Sequence, residues 1–169
     1  MEIETIVVGY LQENCYIITK NNKSIILDPG DEADKILAAC KGKDVIGILL
    51  THNHFDHVGA LKEIKDTFKI EVSTEIRGFD FEVIETPGHT DDSLTYYFAD
   101  DDDVMFTGDF LFNGTIGRMD LPTGSVDDMK KSLKKISTYP PETKVYPGHG
   151  NPTTLGKEIP HFEEYMSIF

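Results

Sequence analysis

Five of the six histidines stand in three short clusters, each beside aspartate or glycine. Thr51-His52-Asn53-His54-Phe55-Asp56-His57 is the densest. Thr86-Pro87-Gly88-His89-Thr90 and Tyr146-Pro147-Gly148-His149-Gly150 come later, with Phe106-Thr107-Gly108-Asp109 between them. Imidazole binds divalent transition metals such as zinc, iron and nickel, and carboxylate suits harder ions. With His at about one residue in 40 and Asp at about one in 20, His-x-His-x-Asp-His arises by chance in about one chain of this length in ten thousand. His52 and His54 are two apart and share one side of an extended segment, whereas Asp56 and His57 come after the chain has begun to turn and can face a second point. His52, His54, Asp56, His57, His89, Asp109 and His149 make seven candidate ligands, more than one tetrahedral zinc uses. Two ions sharing a bridging carboxylate would account for all of them. His161 has no such frame around it and reads as an ordinary surface or hydrogen-bonded histidine.

Each cluster directly succeeds a strand-like run. Ligands at strand ends gather on one edge of a sheet, and Gly88, Gly108, Gly148 and Gly150 let the backbone turn sharply there. Ile3–Val8, Asn14–Thr19 and Ser24–Leu27 read as opening strands, closed by the turn Asp28-Pro29-Gly30. Asp31–Lys41 is short, Ala-rich and charged, so a helix. Val45–Leu50 is continuously apolar, which predicts a strand buried on both faces. Val58–Phe68 carries Val58, Leu61, Ile64 and Phe68 at helical spacing. Lys69–Ser73 and Ile76–Thr86 read as strands, the second alternating Phe79, Phe81, Val83 and Glu85 against polar neighbours. Leu94–Phe98 and Val104–Thr107 are two more, joined by the acidic turn Asp100–Asp103. Val126–Thr138 is the clearest helix. Ser125 can cap it, Asp127 and Asp128 occupy its first turn, Lys130, Lys131, Lys134 and Lys135 come after them, and Met129, Leu133 and Ile136 form its apolar stripe. Lys144–Tyr146 is a last short strand, and the tail from Thr153 ends in a short helix. Strands outnumber helices without strict alternation, which favours an α/β sandwich of mixed sheets with helices outside.

A chain of 169 residues is expected to form one domain and to bury most of its apolar surface without staples. Its 39% hydrophobic and 27% charged residues fit a soluble globular protein. No apolar run approaches the ~20 residues of a membrane span. The acidic start Met1-Glu2-Ile3-Glu4 is unlike a signal peptide, so the expectation is a cytoplasmic protein. The formal charge of -14 and the lack of a basic patch speak against nucleic-acid binding and against anionic membranes. Cys15 and Cys40 are too few for a disulfide framework and read as buried, inert thiols. No internal sequence repeat is visible.

Taken together, the pattern resembles the metallo-β-lactamase superfamily, and within it the glyoxalase II branch, especially its short single-domain members. The resemblance runs from Asn14-Cys15-Tyr16 through Leu155. It is carried by Asp28-Pro29-Gly30, the histidine motif, Thr86-Pro87-Gly88-His89-Thr90, Thr107-Gly108-Asp109, Gly148-His149-Gly150 and, most specific to the branch, Leu111-Phe112-Asn113-Gly114-Thr115-Ile116-Gly117-Arg118. It implies a four-layer αββα sandwich formed by a single domain over residues 1–169, with metals at one edge of its two sheets. His52, His54 and His89 would hold the first metal, Asp56, His57 and His149 the second, and Asp109 would bridge them. The implied cofactors are two divalent ions, zinc first, with iron or manganese as alternatives. Asp28 would fix a ligand histidine from behind, and as a residue before proline it equally suits a plain turn.

The implied activity is hydrolysis of a small-molecule thioester or ester, S-lactoylglutathione or a related thioester, by hydroxide that Asp56 also orients. A persulfide dioxygenase with a single non-haem iron is the alternative, a lactonase a further one, and a metal-binding module without activity the non-enzymatic one. Many β-lactamases carry cysteine where this chain has Asp109, and the charge does not suit a nuclease. Arg118 fills the place of a basic residue that contacts the thiol portion in the glyoxalase II family. Asp120 stands where that family has tyrosine, the segment between Phe68 and Ile76 is shorter than usual, and 20 residues come after His149 where full-length glyoxalase II carries a helical domain. The sequence implies no particular oligomeric state.

Overall fold

The opening apolar runs pair as a meander in the computed structural model, which describes residues 1–99 and 102–169. The chain divides into two units, Met1–Asp80 and Phe81–Phe169. In the first, β1 (Glu2–Val8), β2 (Glu13–Lys20) and β3 (Lys23–Leu27) are antiparallel neighbours. Helix α1 (Ala33–Ala39) crosses over to β4 (Asp44–Leu49), which lies parallel to β3. Two helices come next, α2 (Phe55–Val58) and α3 (Leu61–Phe68). Ile36 of α1 and Ile64 of α3 share one core with Ile17, Ile26 and Ile48, and all five are fully buried. Tyr16, Ile18, Ile25 and Leu27, at the alternate positions, are buried as well. Both faces of this sheet are therefore apolar, as a parallel or covered sheet requires.

The second unit repeats the plan. β5 (Glu82–Glu85), β6 (Leu94–Ala99) and β7 (Asp103–Gly108) are antiparallel neighbours. After the small hairpin β8 (Leu111–Phe112) and β9 (Thr115–Ile116), helix α4 (Val126–Ile136) crosses over to β10 (Lys144–Pro147), parallel to β7. β11 (Thr153–Thr154) closes the edge, giving the order β11-β10-β7-β6-β5. The tail continues through α5 (Leu155–Glu158) and α6 (Phe162–Ser167). Ser125 caps α4 as expected, its hydroxyl accepting from Asp128 N at 3.1 Å. Met129, Leu133 and Ile136 are all buried, at about 1.5–3 kcal/mol for each such side chain.

Several local expectations need correction. The helix read across Val58–Phe68 is two helices, broken at Gly59 and Ala60. Lys69–Ser73 forms no strand: Lys69 takes the left-handed conformation that ends α3, and Ser73 N reaches β4 at Ile48 O (3.3 Å). Ile76 instead covers β4 at Gly47, where a Cβ would come within 2.4 Å of its side chain. The strand read from Ile76 begins only at Glu82, after a turn in which Phe79 N donates to Ile76 O. Its buried residues are Ile84 and Thr86 rather than Val83, because the core under α4 lies on the Ile84 side. Asp100 and Asp101, in the acidic turn, lie outside the described residues. Cys15 and Cys40 are both buried. Burial, the leading cause, pushes both thiols up, that of Cys40 to about 11.

Glu158 anchors the tail and is 1% exposed. Its carboxylate accepts from Gly114 N in the β8–β9 turn (2.8 Å), Thr153 Oγ1 (2.7 Å) and Tyr165 OH (2.7 Å). Burial alone would raise its pKa, but these donors outweigh that and hold it below the ordinary 4.5. A depressed folded pKa stabilises the fold above the unfolded value, and that stability is lost as pH falls through the folded value. Glu158→Gln is therefore expected to unfold at lower urea than the parent at pH 7, with the gap closing below about pH 4. A gap that stays constant into acid would contradict this role.

Candidate metal centre

In the first unit the ligands come directly after β4. His54 is extended, at ψ 145, as the residue before α2. Asp56 and His57 then fall in the short helix, so the turn expected after His54 is there. The rings of His52 and His54 lie 4.9 Å apart and those of His52 and His57 4.2 Å apart. Asp28 comes just after β3 and is fully buried. Its Oδ1 accepts from Thr51 N (2.7 Å), and its Oδ2 accepts from Thr51 Oγ1 (2.5 Å) and His57 Nδ1 (2.8 Å). Thr51 has one hydroxyl proton and gives it to Asp28, so towards His52 Nδ1, at 3.0 Å, it can only accept. Both His52 and His57 therefore carry a proton on Nδ1, which in the neutral ring leaves the lone pair at Nε2.

In the second unit the ligands come after β5, β7 and β10. His89 Nδ1 donates to Arg118 O at 2.8 Å, so in the neutral ring its lone pair is also at Nε2. Its loop lies against α4. Gly88 has φ 148, a Cβ there would meet Met129 Cα at 2.7 Å, and Ser132 Oγ donates to Pro87 O at 2.6 Å. Asp109 comes directly after β7, whose last residue accepts from Gly148 N at 2.8 Å, tying the Asp109 and His149 loops together. Gly117 allows the chain after β9 to press against Asp109, since a Cβ there would sit 1.8 Å from Asp109 O. That approach is what brings the Arg118 carbonyl to His89.

The chemistry of these donors suits a cation. His57 Nε2 lies 3.6 Å from Asp56 Oδ2, and His89 Nε2 and His149 Nε2 lie 3.6 and 3.5 Å from the same oxygen, Asp109 Oδ2. With neutral rings this sets, for His57 and His89, a nitrogen lone pair against a carboxylate, a repulsive pairing. The spacing is longer than a hydrogen bond. Two ligands on one tetrahedral ion, with bonds of about 2.0–2.1 Å, stand about 3.3 Å apart. Asp28 also lies within 4.8 Å of His52 and His57 ligand atoms. Because its oxygens already accept from Thr51 and His57, it serves as their support.

Other residues fall elsewhere. Arg118 and Asp120 are exposed and joined through two hydrogen bonds of 2.7 and 2.8 Å. The arginine's hydrogen bond holds the Asp120 carboxyl at about 2. His161 sits on the surface 3.3 Å from Glu164. Sequence reasoning missed Thr51, the main chain of Gly117 and Arg118, and Glu13, a buried carboxylate 3.5 Å from His57 Nδ1. It also missed the β8–β9 hairpin, although Asn113-Gly114 at its turn is a strong hairpin signal. Asp28→Asn is expected to weaken metal retention about 10- to 100-fold, read as loss of bound metal in a chelator titration. Retention equal to the parent would reduce Asp28 to a turn residue.

The family model described as metallo-beta-lactamase superfamily matches residues 8–77 and 70–149. The chain is 31% identical to the hydroxyacylglutathione hydrolase GloC of Haemophilus influenzae, over 94% of this chain and 95% of the relative. Among solved structures, the BLEG-1 B3 metallo-beta-lactamase superposes with a TM-score of 0.89 at 32% identity, covering 95% of this chain and 97% of the other. TTHA1623 in a di-iron-bound form gives 0.83 at 33%, covering 92% and 96%. Among the described residues no helix is long and apolar enough to cross a membrane. By sequence and by fold, this α/β chain belongs to the metallo-β-lactamase superfamily.

Proposed function

We propose that the chain is a dinuclear metal-dependent thioesterase of the glyoxalase II type. His52, His54 and His89 would hold one divalent cation, Asp56, His57 and His149 a second, and Asp109 would serve both. Zinc suits this imidazole-rich set, and the di-iron form of TTHA1623 makes iron the alternative. The observation that carries the reading is the pair of imidazole nitrogens on one oxygen of Asp109, at 3.6 and 3.5 Å. Relatedness to a hydroxyacylglutathione hydrolase over nearly the whole chain supports the choice of thioesters.

Bound there, two divalent cations would lower the pKa of a shared water towards about 7 and offset the charge that grows on a carbonyl oxygen. Asp56 accepts a hydrogen bond from the attacking water and aims its lone pair at the carbonyl carbon. Thr51, Asp28 and the Arg118 carbonyl keep three imidazole rings from rotating during turnover. As the tetrahedral species collapses, the C–S bond breaks and the sulfur leaves as thiolate. No cysteine is available as nucleophile, because both thiols are buried and held protonated.

A second reading is β-lactam hydrolysis, favoured by the 32% identity to BLEG-1, since an amide carbonyl accepts the same attack. The test is a panel of S-lactoylglutathione, simpler thioesters, a lactone and a penicillin offered to the metal-loaded protein. Thioesters are expected to turn over fastest, chelator to abolish turnover, and Asp56→Ala to cost at least about 100-fold in kcat with the circular dichroism spectrum unchanged. Penicillin as the best substrate would favour the second reading, and full turnover by the chelated protein would remove both.

A further inference from the structure

The turn between β1 and β2 and the start of α2 hold three large apolar side chains out in solvent. Tyr10 is 98% exposed, Phe55 75% and Leu11 48%. With Val8, Asp31 and Asp56 they line a cleft of about 360 Å³. Exposed apolar side chains around a concavity mark a binding site more often than chance. The turn is also held in place. Gly9 N donates to Glu32 Oε2 (2.8 Å), Lys35 Nζ to Val7 O (2.6 Å) and Gln12 N to Gly9 O (3.1 Å).

We infer that this cleft receives the acyl group of the substrate, and that the acyl group is apolar and uncharged. The inference rests on the thioesterase reading, because Asp56, there assigned to the attacking water, forms part of the wall. Charge decides which side of the scissile bond lies here. Among the described residues no lysine or arginine lines the cleft, while Asp31 and Asp56 do. With Asp56 offset by the cation it is proposed to hold, the Asp31 carboxylate still repels the thiolate that develops on the leaving group, and an acyl chain carries no such charge. The same acidity disfavours acyl groups that end in a carboxylate. The volume lies near the lower end for small-molecule sites, which suits a short alkyl or aryl acyl group.

The test uses the metal-loaded protein and thioesters of one neutral thiol, N-acetylcysteamine, carrying acetyl, butanoyl, hexanoyl or succinyl groups. Burial of each added methylene is expected to raise kcat/KM about threefold to fourfold, with succinyl no better than acetyl. Phe55→Ala and Tyr10→Ala should flatten that rise. A flat parental series, or a preference for succinyl, overturns the inference. A second measurement is independent of turnover: hexanamide, but not succinamate, should shift the backbone amide signals of Gly9–Gln12 and Phe55 in a titration. Those shifts without hydrolysis of any thioester would uphold the cleft and remove the thioesterase reading. Their absence, or equal shifts with succinamate, would remove the cleft's role whatever the enzyme hydrolyses.

Discussion

The Nδ1 proton of His57 goes to Asp28, that of His52 to Thr51 and that of His89 to the carbonyl of Arg118. With the proton fixed on that nitrogen, each neutral ring offers a lone pair from the other, and for His57 and His89 a carboxylate faces it. Lone pair against anion is tolerated in a protein interior when positive charge is supplied. Behind His57 the acid is denser still, with Glu13 and Asp28 both almost fully buried. Desolvating carboxylates without compensation costs several kcal/mol each. Part of the chain's charge of -14 is thus concentrated where cations would relieve it.

The two units use one plan for different ends. In each, an aspartate comes just after the third strand and a histidine shortly after the crossover strand: Asp28 and His52 in the first, Asp109 and His149 in the second. Asp28 is surrounded by donors and orients its neighbours, whereas Asp109 is faced by imidazoles. The difference lies in the segment that each aspartate leads into. Pro29-Gly30 leads the chain from Asp28 towards α1. After Asp109 the chain forms the β8–β9 hairpin and returns along Gly117, carrying the carbonyl that holds His89. The hairpin is in turn tied to the tail by Glu158.

The metal-ligating residue types, most strands and α4 were legible in the sequence because each has a local signature: dense histidines beside acid, apolar runs, a cap leading into a dipole-ordered helix. The repeated plan was not, because it is a repetition of pairing and crossover with no repetition of residues. Nor were the partners of the ligands. Thr51 acts through a hydroxyl whose direction only Asp28 decides, and Arg118 acts through its main chain, which has no residue-specific mark. Lys69–Ser73 looked like a strand by composition, yet the helix before it ends in a left-handed Lys69 and the ladder is never entered. Tyr10 and Phe55 gave no signal at all, since an exposed aromatic reads like a core one until the fold is known.

Metal content tests the central claim most directly. Protein purified without added chelator, reloaded and freed of excess ion, is expected to retain about two divalent cations per chain by elemental analysis, and about one after His149→Ala. A parent chain that retains a single iron, or none under any loading condition, would contradict the account.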